Sequence, residues 1–428
     1  MHISARKRRK DAAAAPDREG RLPMHAIHVR RPVLIDALAA EGLAPGDGER
    51  FRTLCNFLGA YFHHEFYARL TSLKDLYARL HECRDMASAP ALHADLEKGL
   101  VSVLGQANFD ELDARAIAEG SSAHPHLEVQ TRTPHDQYET ARIFYRGVRE
   151  DRLTRRRLLR RHEWREDVLE DVVIFVRFRN RSHHQATGSL PGNPGPGNVL
   201  IKSFRNVARN ELPMLLPGVE VVMSRKDAIL IGGPALLGGI PVALNILPAL
   251  SVMLVMAGAW LGVSGTVKQD DVMKALGALS ALVGAGAFMF RQYASYAFRK
   301  LRYQKRLADN VYFRNVNNDT GVFDTLISAA EDQEIKEVIL AYHALLVHGP
   351  VRTSVELDRR IEAWLERHFG LAIDFDVDDA LDKLRRLGFL SRDGDEMAVG
   401  GLDHVLSGLD TLWDRLYDFR DSKQAAGT

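Results

Sequence analysis

The chain has 428 residues, enough for two or three domains, and a formal net charge of +1. That near-neutral total hides an asymmetry: residues 331–428 carry 12 Lys/Arg against 21 Asp/Glu, a net of −9, so residues 1–330 carry +10. Two cysteines, Cys55 and Cys83, exclude a disulfide framework and fit a reducing cytosol.

Residues 1–31 open with RKRRK at Arg6 to Lys10 and continue polar and alanine-rich, with no apolar h-region. They are expected to be a disordered basic tail rather than a secretory signal. A helical region follows over 32–125. Its strongest element runs through 49–82, where Phe51, Leu54, Cys55, Leu58, Phe62, Phe66, Leu70, Leu73, Tyr77 and Leu80 recur at steps of three and four. His63, His64 and Glu65 lie within this helix. Adjacent helical residues point about 100° apart, so the two histidines cannot share one ion well and form a polar face instead.

Over 126–227 the pattern becomes that of strands. HLEVQTR, ETARIFYRGV, EDVVIFVRFRN, GNVLIKSF and VEVVMS are rich in β-branched and aromatic residues. RLTRRRLLRRHEWR, between the second and third, holds seven arginines in residues 152–165 and reads as a patch for anionic lipid headgroups or a solvated face. Residues 183–198 form a flexible Gly/Pro insertion.

Between Ala228 and Val267 there are 40 residues without Asp, Glu, Lys or Arg. GPALLGG within it, with Gly233 and Gly238, has the glycine spacing of a phosphate loop, but Gly239 and Ile240 stand where Lys and Ser/Thr are required. A second uncharged run of 16 residues extends from Ala275 to Phe290. Since roughly 20 apolar helical residues cross a bilayer, the region 228–293 is expected to cross twice, over about 228–263 and 272–293. Gly258 with Gly262, and Gly277 with Ala281 and Ala285, have the small-residue spacing that lets membrane helices pack. Basic residues flank both ends: Lys202, Arg205, Arg209, Arg225 and Lys226 before, and six between Arg291 and Arg306 after. They place both termini in the cytosol, at a bacterial inner membrane.

The C-terminal region, 294–428, contains the amphipathic pattern IKEVILAYHALLVHG. A second helix follows with Thr353 and Glu356 at capping-box spacing, then a third capped by Asp376, and a hairpin turning at Asp393-Gly394. Three helices and a β-wing is winged-helix order. Its acidic charge argues against nucleic acid and for a protein partner. DFDVDD begins like a calcium loop, but Asp379 and Arg385 stand where Gly and Glu are needed. Neither metal nor cofactor is expected. The fold class expected is an α+β membrane protein, with a helical and β-sheet cytosolic region, a two-helix transmembrane hairpin and a winged-helix-like C-terminal domain.

YFHHEFYARLTSLKDLYA, RIFYRGV, VLIKSFRNVARNELPMLLPGVEVVMSRKD and VYFRNVNNDTGVFDTLISAAEDQEIKEVILAY resemble the domain of unknown function 3754 family, which includes animal transmembrane protein 143 and plant and bacterial relatives. The resemblance implies a two-crossing membrane protein and carries over no catalytic residue. Within these motifs the candidates for binding a lipid or a partner are Lys202, Arg205, Arg209, Glu211, Arg314, Asn317, Asn318, Glu334 and Lys336. The expected function is a membrane-tethered interaction or regulatory protein, binding a protein partner or an anionic lipid surface. The alternative is a membrane-associated enzyme acting on lipid or peptide.

Overall fold

The computed structural model describes residues 25–82, 89–112, 130–132, 135–157, 160–179, 199–222, 254, 257–258, 260–262, 269–393 and 396–416. The chain divides into two compact units. One comprises Met1–Gly120, His135–Leu216 and Arg314–Thr428, and the other Ser121–Pro134 and Pro217–Phe313.

The first unit begins with α1 (Arg31–Ala39), α2 (Asp47–Glu82) and α3 (Ala89–Gln106). The apolar spacing of α2 becomes its buried face: Phe51, Leu54, Cys55, Leu58, Phe62, Phe66, Leu73, Tyr77 and Leu80 are all in the core. That face packs on α5 (Thr320–His348), the axis of the unit. Every residue of α5 from Gln333 to Leu345 is buried, polar ones included. The single amphipathic face expected here is therefore replaced by burial all round, because α1, α2, α3 and the later helices α6 (Ser354–Phe369) and α7 (Val377–Arg386) pack about α5.

One antiparallel sheet of five strands lies alongside, in the order β1 (Asp110–Leu112), β3 (Tyr138–Arg157), β4 (Arg160–Phe178), β5 (Val199–Ala208), β7 (Asn315–Asn318). Val172, Val173, Ile174, Phe175 and Val176 of central β4 are buried in succession, as in a strand covered on both faces. The arginine-rich stretch between the second and third expected strands is itself strand. β3 and β4 pair from Tyr138↔Phe178 to Arg157↔Arg160, with a register shift between Tyr138 and Thr140 and one register from Thr140↔Arg177 onward, whereas β5 covers β4 only over Val168–Arg177.

The C-terminal part consists of α6 (Ser354–Phe369), α7 (Val377–Arg386), the hairpin β8 (Leu390–Asp393) and β9 (Glu396–Val399), and α8 (Leu402–Asp414). The Thr353 side chain accepts a hydrogen bond from the Glu356 amide and Asp376 from the Asp379 amide, so both caps form.

The second unit contains β2 (Gln130–Arg132) paired antiparallel with β6 (Glu220–Val222), and α4 (Gln269–Arg314) up to Phe313. Here the expected membrane architecture, and the transmembrane assignment with it, is overturned: among the described residues no helix is long and apolar enough to cross a membrane. The physical reason is visible in α4. Its uncharged stretch, Ala275–Phe290, would extend only about 24 Å, short of a hydrocarbon core of about 30 Å. Nine of those 16 residues are Gly, Ala or Ser, and Lys274 and Arg291 bound them. Among the described residues, a Cβ placed on Gly277 or Gly262 would meet nothing within 4 Å. Most of the first uncharged run, the tail up to residue 24, and the 183–198 insertion lie outside the described residues.

Candidate functional site

The most concentrated chemistry lies inside the first unit, between α5 and α7. The i,i+4 spacing of Asp379 and Lys383 puts both on one side of α7, against Glu334 and Glu337 of α5. The Lys383 ammonium donates to Glu334, Glu337 and Asp379 at 2.5, 2.5 and 2.8 Å. Three N–H donors thus meet three carboxylates, the full donor capacity of a lysine. Asn108, in a left-handed conformation (φ 56°) just past α3, donates through Nδ2 to Glu337 at 2.8 Å. Arg386, one turn beyond Lys383, bridges to Glu65 of α2 and lies over the Phe62 ring.

Three carboxylates and one ammonium sum formally to −2, since +1 − 3 = −2. Burial pushes the Glu334 carboxyl up to about 7; Lys383 opposes the shift, and Glu337 and Asp379 reinforce it. Lys383 is itself raised: burial works against its charge, but the facing carboxylates outweigh that loss. Glu334 Oε1 is buried with no hydrogen-bond partner. Oxygens of Glu334, Glu337 and Asp379 lie within 4.8 Å of one another, a donor set suited to a hard cation. The ammonium of Lys383 occupies the place such a cation would take and offsets part of the carboxylate charge.

A second polar knot fixes the chain before α1. Gln333 accepts from the Ile27 amide at 2.9 Å and donates to the Ile27 carbonyl at 3.2 Å. Lys336 donates to the same carbonyl at 3.0 Å and pairs with Asp332 at 2.5 Å; burial lowers its pKa. Nearby, His28 pairs with Glu170 at 3.1 Å. Gly147 (φ 75°) makes room for this contact, for a Cβ there would sit 2.7 Å from His28.

The sequence candidates divide between these places and the sheet. Lys202 lies opposite Asn318, and Ser203 opposite Asn317, where β5 meets β7. Asn317 donates to Thr325, and Arg314 pairs with Glu211. Arg205 donates to Asp171 at 3.1 Å, beside Arg146 on the same carboxylate, and Arg209 lies 3.6 Å from Asp167. Arg146, Asp171, Ser203, Arg205 and Thr325 line a cavity of about 20 Å³, room for one water. Glu334 and Lys336, expected with the others at a membrane face, are instead buried on α5. Sequence reasoning misses Lys383 and Asn108; the one local signal for them is the Asp379–Lys383 spacing.

No solved structure matches the chain. Residues 169–321, from β4 through α4 and β7 into the first turn of α5, match the family described as Protein of unknown function (DUF3754). Over that span the chain carries a domain of this family, in agreement with the motifs around β5, β7 and α5.

Proposed function

We propose that this chain is an interaction or regulatory protein that docks on an anionic lipid surface through α4, without crossing it. The observation that supports this is the composition of α4 along its length. Leu276, Leu279, Val283, Phe290, Phe298 and Leu301 recur on one side of the helix, each 46–73% exposed. An apolar stripe of that extent on a described surface marks an interaction site. From Arg291 to Arg306 the helix carries six basic residues and no acid. Apolar side chains entering the acyl boundary, with Arg and Lys at the phosphates, is the arrangement of an interfacial helix.

The enzymatic alternative draws no support from the candidate residues. Arg205, Arg209, Glu211 and Arg314 are engaged in internal ion pairs, and Glu334 is enclosed with Lys383.

Vesicle co-sedimentation of the full chain tests the proposal. Binding to phosphatidylcholine–phosphatidylglycerol vesicles is expected to exceed binding to phosphatidylcholine alone. Phe290→Ser combined with Phe298→Ser should weaken both. Wild-type protein left in the supernatant with either vesicle would refute the reading, and a variant that sediments like wild type would remove α4 from it.

A further inference from the structure

We infer that α4 is a two-part lipid sensor, an inference that rests on the reading of α4 above. Residues 275–290 respond to how tightly the bilayer surface is packed, and residues 291–306 respond to its charge. One exposed stripe runs through both halves. Leu276, Leu279 and Val283 in the first half and Phe298 and Leu301 in the second lie on one side of the helix, with Phe290 between them.

Beside the first half of this stripe nothing binds a phosphate. Residues 275–290 hold no Asp, Glu, Lys or Arg, and the exposed positions there include Gly277, Ser280, Gly284 and Ala287. Ser280 carries the one hydroxyl of this half, and its Oγ donates to the Leu276 carbonyl at 2.9 Å, so that proton stays within the helix. Packing does not call for the glycines. Among the described residues, a Cβ on Gly277, Gly284 or Gly286 would meet nothing within 4 Å. A segment of this kind gains only by sinking its large apolar side chains among acyl chains. Headgroups in a flat bilayer stand close together and resist that entry. In a strongly curved outer leaflet they part and bare the acyl chains, so binding of an uncharged amphipathic helix rises with curvature.

The second half meets a different property of the membrane. Arg291 and Lys305 stand seven residues either side of Phe298, within about 20° of it around the helix axis, and Arg302 lies one turn beyond it. All three are exposed. Arg299, Lys300 and Arg306 complete six basic residues with no acid among them. Attraction of each such residue to anionic headgroups adds to binding and weakens as salt rises. Curvature without charge serves the first half, and charge without curvature serves the second.

The test floats the full chain with vesicles of phosphatidylcholine alone or with phosphatidylglycerol added, each made small by sonication or large by extrusion. On phosphatidylcholine alone, wild type is expected to bind small vesicles at least about fivefold more than large ones at equal lipid. Phosphatidylglycerol should raise binding at both sizes, by an increment that salt removes. Leu279→Ser with Val283→Ser should abolish the preference for small vesicles and retain the salt-sensitive increment. Arg291→Gln with Arg302→Gln and Lys305→Gln should abolish the increment and retain the preference. All five side chains are exposed, so the melting temperature should hold in both variants, which separates lost docking from lost folding. If wild type binds without regard to vesicle size, or if each variant loses both responses together, α4 is not a two-part sensor and the docking reading stands. If wild type floats with no vesicle, the docking reading fails and takes this inference with it.

Discussion

Lys383 shows how far one residue can organise its surroundings. A charge moved from water into a protein interior is destabilising unless matched, and breaking a buried pair costs about 3–5 kcal/mol. Lys383→Met would leave Glu334, Glu337 and Asp379 facing one another without a cation. A loss of about that size is expected, read as a lower urea midpoint. Glu334 adds a pH dependence. Its folded pKa, about 7, lies above the ordinary carboxylate value, so the folded state holds the proton more tightly than the unfolded chain. The stability this contributes is complete at pH below about 4.5 and is lost as pH rises through about 7. Glu334→Gln, uncharged at every pH, should flatten the fall in stability between pH 5 and 8 in urea titrations at stepped pH. An unchanged slope would show that Glu334 does not carry it. Gly147 is a steric case. Its φ is positive, and His28 stands 2.7 Å from the place a Cβ would take. Gly147→Ala should therefore destabilise by about 1–3 kcal/mol, seen as a drop in Tm.

Among the elements, α6 and α7 are written almost completely in local sequence. Thr353 and Asp376 cap as their spacing requires, and Gly370, in the left-handed conformation, closes α6 through its amide to Glu366. Thr353→Ala should cost about 1 kcal/mol, measured as a thermal shift. The helix α5 is less legible. Its apolar spacing indicates one buried face, but Gln333, Lys336, Glu337 and His343 are polar and buried because neighbours from elsewhere in the chain bond to them, and Glu334 is buried against Lys383. The arginine-rich segment departs from its local pattern for a related reason. It lacks the run of β-branched and aromatic residues that marks the other strands, and pairing across the hairpin extends the strand into it. For α4, an uncharged run indicates an apolar environment without saying which. Run length, small-residue content and bounding charges turn it away from a crossing helix.

At the scale of the molecule, one core gathers residues from both ends of the chain: Leu34 and Phe51 share it with Leu384 and Leu409. The Ile27 backbone is tied to Gln333 and Lys336 across 306 and 309 residues of sequence. Such long-range closure makes α5 the last element to open. Hydrogen exchange should find the amides of Gln333 to Leu345 protected to the global unfolding free energy, and those of 270–313 exchanging far sooner. Equal protection in both would contradict the burial of α5 and the exposure of α4.

By itself the sequence determined what depends on near neighbours. The buried stripe of α2, the caps of α6 and α7, the β8–β9 hairpin, the charge contrast between the two parts of the chain and the family motifs all rest on spacings of two to four residues or on residue identity. Tertiary structure alone decided which distant groups meet: Lys383 with Glu334 and Glu337, Asn108 with Glu337, β7 beside β5, Arg152 opposite Arg165. Periodicity specifies which side of an element is buried but carries no address for its partner, and a buried charge is tolerable only once that partner is in place.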